Sequence, residues 1–171
     1  MKNIDWKEID ESAFDRLPAG AYVARIVEVK DVPEREYLNV VYDIAEGEYE
    51  GFYSDEFGRN NEWAHRFVRS YKESARGMFK AFLMRLEESN PGFTVAGWQE
   101  DCDERRLVGL EVGILLQTEL YTNNRGEDKE RLVCVGVCAS QDIRNGDYRL
   151  PEPKDRREKP ASPSFYDEIP F

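Results

Sequence analysis

The sequence predicts a mostly β domain: a five-stranded antiparallel barrel, one long helix between its third and fourth strands, and a disordered C-terminal tail. Three observations carry this. Short runs rich in β-branched and aromatic residues recur between turn signals. One stretch keeps an apolar three- and four-residue period long enough for a helix. The composition changes abruptly at Pro151, where prolines and charges replace apolar residues.

A chain of 171 residues fits one domain plus a tail, and 40% hydrophobic residues suffice for a packed core. No apolar run approaches the ~18 residues of a membrane span. The start, Met1-Lys2-Asn3-Ile4-Asp5, does not read as a signal peptide, so a cytoplasmic protein is expected. Cys102, Cys134 and Cys138 form no disulfide framework, and with His65 they make a poor zinc set. Cys134 and Cys138, four apart in a strand-like run, should share a face as buried free thiols. No metal or other cofactor is expected.

The charges set a condition on function. With 24 basic and 35 acidic residues the net charge is −11, which disfavours indiscriminate binding to polyanions. A nucleic-acid binder of this composition needs a local basic groove.

Residues 1–16, with Ile4, Trp6, Ile9 and Phe14 among acids, suggest a short helix or an arm packed on the body. The main domain then spans 17–150. Leu17-Pro18-Ala19-Gly20 turns into a first strand, Ala21 to Lys30, and Tyr37 to Ile44 form a second, with Leu38, Val40, Tyr42 and Ile44 on one face. Glu46-Gly47-Glu48 leads to a third strand over 49–57, which puts Tyr49, Tyr53 and Phe57 on a common face. The helix should begin near Asn60 or Asn61 and end at Asn90-Pro91-Gly92. Its apolar stripe is Trp63, Phe67, Tyr71, Ala75, Met78, Phe82 and Leu86. Arg66, Arg69, Arg76 and Lys80 form a neighbouring basic stripe. Two further strands, 107–121 and 131–139, flank a polar loop at 122–130 that reads as a protruding hairpin. Residues 151–164 are a charged, Pro-rich linker, and as coil or polyproline they would reach on the order of 20–40 Å.

Strand, strand, strand, helix, strand, strand is the element order of an OB-fold, whose open face and loops serve oligonucleotides. On that reading phosphates would meet Arg59, Arg66, Arg69, Arg125, Lys129 and Arg131. Bases would stack on exposed rings among Tyr37, Tyr49, Tyr53, Phe57 and Tyr121. Two readings of another class compete. An acidic protein-binding decoy or DNA mimic suits the charge. A metal-dependent nuclease would use Asp101, Asp103 and Glu104, or Asp43 with Asp55.

The final residues, Phe165-Tyr166-Asp167-Glu168-Ile169-Pro170-Phe171, offer two carboxylates beside an aromatic anchor. They resemble the acidic tip of bacterial single-stranded DNA-binding proteins, which implies that Asp167, Glu168, Ile169, Pro170 and Phe171 recruit replication, repair and recombination enzymes. Leu17-Pro18-Ala19-Gly20-Ala21-Tyr22, Gly47-Glu48-Tyr49-Glu50-Gly51, and Ile143 to Tyr148 with Pro151 are similar to a family of phage and prophage proteins. Members of that family are taken as single-stranded DNA-binding proteins of recombination and replication modules. The resemblance implies a non-enzymatic protein that coats single-stranded DNA. The sequence leaves open the oligomeric state and the choice between DNA and RNA.

Overall fold

A computed structural model describes residues 17–54 and 63–157. The domain is mostly β. Its sheet has strand order β3-β2-β1-β4-β5, built from β1 (Gly20–Val32), β2 (Tyr37–Ile44), β3 (Arg66–Ser70), β4 (Glu111–Thr122) and β5 (Asp128–Cys138). All pairs along this path are antiparallel. With the long helix α1 (Arg76–Ser89) between β3 and β4, this is an OB-fold-like barrel. A bulge between Ile26 and Glu28 in β1, and another where Leu115 and Leu116 face β5, bend the strands so that the sheet curls.

The core lies inside the curl. Val40, Tyr42, Ile26, Val112, Ile114 and Leu116 alternate inward from β2, β1 and β4, and Phe82, Leu83 and Leu86 of α1 close the end. Three- and four-residue spacing puts these helix residues on one face. No ladder joins β3 to β5 among the described residues. A cleft there is lined by Arg69, Phe82, Arg85 and Cys134–Cys138.

The third strand is not where the sequence placed it. After Ile44 the chain turns at Gly47 and Gly51, both at positive φ, and forms a 3-10 turn at Phe52–Ser54. The buried Asp43 carboxylate accepts the amides of Ile44 and Tyr53 and holds that turn. β3 instead takes residues expected in the front of the helix. In it Phe67 points inward while Arg66 and Val68 point out, an alternation of period two that the aromatic spacing had hidden. The helix proper begins at Arg76, after a 3-10 turn at Glu73–Ala75. Met78, expected in the apolar stripe, is 70% exposed because the start of the helix turns it outward.

The second hairpin is tighter than expected, with the strands reaching Thr122 and Asp128. The Asn123 side chain accepts the amides of Arg125 and Glu127 and closes the turn. Its strand β4 also starts later than expected, because Glu104–Leu107 forms a 3-10 turn. Residue Val135 is the extra residue of a bulge, since Leu116 faces Cys134 and Leu115 faces Gly136. Cys134 and Cys138 therefore fall on opposite faces, contrary to the four-residue spacing. Burial raises both thiols to about 11, so they stay protonated.

A short helix, α2 (Val95–Gln99), follows α1, and another, α3 (Ser140–Asn145), follows β5 and ends on Gly146 in the left-handed conformation. The first residues of the expected linker are not free coil. Lys154–Asp155 form β6, parallel to β4 beyond the end of β1. The Gln117 side-chain amide donates to the Pro151 carbonyl at 2.7 Å, and the Arg156 amide to the Leu120 carbonyl at 2.7 Å. The N-terminal arm (1–16), residues 158–164 of the linker and the tip (165–171) lie outside the described residues. No helix among the described residues is long and apolar enough to cross a membrane.

Candidate nucleic-acid interface

The registers of β1, β2 and β3 define an outer face in three rows. Glu28, Val41 and Arg66 form the first, Lys30, Asn39 and Val68 the second, and Val32, Tyr37 and Ser70 the third. Alternation forces this arrangement, because Val40, Phe67 and Leu38 turn into the core and their neighbours must turn out. Lys30 and Arg66 are exposed, and neither has an ion pair among the described residues. Val68 is 49% exposed, and the Tyr37 ring is half-buried at the end of the face. Two cations, an amide and a ring on this open face can hold phosphates and support bases, with the exposed Glu28 carboxylate in the row of Arg66 as the one acid among them.

The expected site residues divide sharply. Tyr37 and Arg66 stand together on this face. Tyr53 does not, being 2% exposed and packed edge-on against Phe52 and Tyr42 and beside His65, with ring centroids 4.6 Å apart. Tyr49 packs edge-on against Tyr22 and Phe52 as part of the core's margin. Both were expected on a stacking face, but the consecutive turns over residues 46–54, which replace the expected strand, rotate them into apolar surroundings. Phe57 and Arg59 lie outside the described residues.

Arg69 is the clearest correction among the cations. It pairs in register with Leu38 on the inner side of the sheet, and its guanidinium lies 4.8 Å from the Phe67 ring centroid and 5.8 Å from that of Phe82. Burial lowers its pKa from the ordinary arginine value. It fills the seam between β3 and β5, which is a structural task.

The hairpin residues are largely engaged with one another. Arg131 lies over the Tyr121 ring at 4.4 Å and pairs with Glu119 at 3.1 Å. Lys129 pairs with Glu127 at 3.3 Å. Arg125 is exposed in the turn with no ion pair among the described residues. Lys30, which sequence reasoning passed over, joins the face only because a bulge in β1 sets its register against Asn39.

The carboxylates considered for metal chemistry have other work. Asp43 holds two backbone amides. Asp103 caps the Glu104–Leu107 turn and binds Arg105, while Asp101 pairs with Arg106. Asp55 lies outside the described residues, and no group of three potential metal ligands occurs among those described.

No protein-family model matches the chain, and no curated protein matches it significantly. The interface therefore stands on its geometry.

Proposed function

We propose that the chain is a non-enzymatic single-stranded DNA-binding protein of a phage or prophage, acting in the bacterial cytoplasm, that coats unpaired strands and recruits processing enzymes. The observation carrying this reading is the outer face of β1–β2–β3. Lys30, Arg66, Val68 and Tyr37 share this face across its three rows, and the reading draws support from the use of the corresponding face by OB-type barrels for oligonucleotides. Stacking on a ring is indifferent to sequence, as coating requires, and phosphate contacts release counterions, so affinity should fall with salt. The net charge of −11 disfavours binding of polyanions elsewhere on the chain, so affinity would rest on local cations such as these.

The tip, Asp167-Glu168-Ile169-Pro170-Phe171, would serve a separate task as bait for replication, repair and recombination enzymes. Strand and enzyme would meet at raised effective concentration. Anisotropy titration of labelled oligo-dT against the full chain at low salt tests the first task, and absence of binding ends the proposal. Replacing Phe171 by Ala should leave that affinity intact and abolish enzyme capture.

A second reading, an acidic protein-binding factor that mimics DNA, is favoured by the neutralised hairpin cations Lys129 and Arg131. Tight association with a nuclease or repair protein, without oligonucleotide affinity, would establish it instead.

A further inference from the structure

A cleft of about 600 Å³ opens between α1 and α2, within the ~300–1,000 Å³ usual for small-ligand sites. Leu38, Leu83 and Trp98 form its floor, and the Trp98 indole N–H is fixed by donating to the Asp103 carbonyl at 2.9 Å. Tyr71 and Phe79 form a half-exposed aromatic wall, their centroids 6.1 Å apart at 80°. Arg76 and Lys80 stand on one lip, exposed and without ion pairs among the described residues. They are one helical turn apart, roughly 5–6 Å between Cβ atoms. Gln99 and Glu104 come from the other side, and Asp31 is occupied by the Tyr71 hydroxyl at 2.8 Å.

We propose that this cleft is a second subsite for the same strand, stacking one unpaired base against the exposed side of the Tyr71–Phe79 wall while Arg76 and Lys80 hold the flanking phosphates. The inference rests on the single-stranded DNA reading above. Rings, paired cations and a carboxylate that can accept from base-edge N–H groups suit a nucleotide better than either simpler ligand. An apolar molecule would leave Arg76 and Lys80 idle, and an acidic peptide would meet Glu104 and Asp31. The position suits a continuous path. Asp31, Leu38 and Tyr71 directly adjoin Val32, Tyr37 and Ser70, the last row of the outer face. A strand leaving that row passes the end of the sheet and meets the cleft.

The test compares full-length proteins by anisotropy with a labelled 20-nucleotide oligo-dT and a labelled hexamer across a salt series. R76A/K80A should weaken 20-mer binding about tenfold and flatten its salt slope by about 1.4, two phosphates at ~0.7 each. Hexamer binding, confined to the barrel face, should be unchanged. Phe79→Leu keeps the cleft apolar but removes the ring, and should cost roughly fivefold or more on the 20-mer. Wild-type binding that R76A/K80A leaves unaltered overturns the subsite alone, whereas no wild-type binding overturns the parent reading. If a Phe165–Phe171 peptide perturbs Trp98 emission and the 20-mer does not, the cleft receives the tail, and the subsite is likewise overturned.

Discussion

Glu119 Oε1 accepts from Arg156 Nε at 2.8 Å and from Arg131 at 3.1 Å, joining the start of the tail to the hairpin through one carboxylate that is only 6% exposed. The tail thus leaves the domain from a fixed point beside the β4–β5 turn. Asp155 and Asp128 both pair with Arg157 and reinforce that point.

Replacing Glu119 by Ala should cost about 1–3 kcal/mol of stability, since a buried carboxylate with charged partners is removed. It should also loosen β6. Denaturant melts give the first quantity. Faster tryptic cleavage after Arg156 and Arg157 reports the second, and unchanged cleavage would show that the strand pairing alone holds the strap.

Arg66 and Arg69 are three residues apart on one strand and face opposite ways. Arg66→Ala should lower oligo-dT affinity and reduce the salt slope by about 0.7 while leaving the melting midpoint in place. Arg69→Ala should cost about 1–2 kcal/mol of stability through lost contact with Phe67 and Phe82. The reverse pattern would place the nucleic-acid face on the wrong side of the sheet.

His65 gives a pH dependence with a definite sign. Burial lowers its pKa below the ordinary 6.5, and its Nδ1 has no hydrogen-bond partner among the described residues. The unfolded chain therefore takes the proton first. This residue's contribution is complete above about pH 6.5 and is lost as pH falls below it. Stability measured from pH 7.5 to 5.5 should decline, and His65→Phe should flatten that decline. An equal slope in the variant would remove His65 from the account.

Gly113 lies where β4 passes beneath α3. A Cβ there would come within 2.7 Å of Ile143 Cγ1 and 3.0 Å of the Ala139 and Cys138 carbonyls. Gly113→Ala should cost about 1–3 kcal/mol. Ile143→Ala in the same chain should restore only part, because the two carbonyls belong to the backbone. Full restoration would mean that the side chain alone sets the distance.

Much of this was legible along the chain. The alternation of Leu38, Val40, Tyr42 and Ile44 marked β2 because a strand with one buried face must repeat every second residue. Asn90-Pro91-Gly92 marked the end of α1, and the polar run near Asn123 marked a hairpin. The third strand was not legible. Trp63, Phe67 and Tyr71 keep helical spacing, yet pairing of Arg66–Ser70 with β2 outweighs a local preference that is worth only tenths of a kcal/mol per residue.

The sequence by itself determined the β-rich class and the single long helix, since these depend on residue type and near neighbours. Only the tertiary structure decided which cations face outward. Arg66 and Lys30 reach the open face, Arg69 is drawn into the seam, and Arg131 is stacked on Tyr121 beside Glu119. A charged side chain's role depends on what strand register places opposite it, and a one-residue shift reverses its face. Register is fixed by bulges and by contacts between residues far apart along the chain.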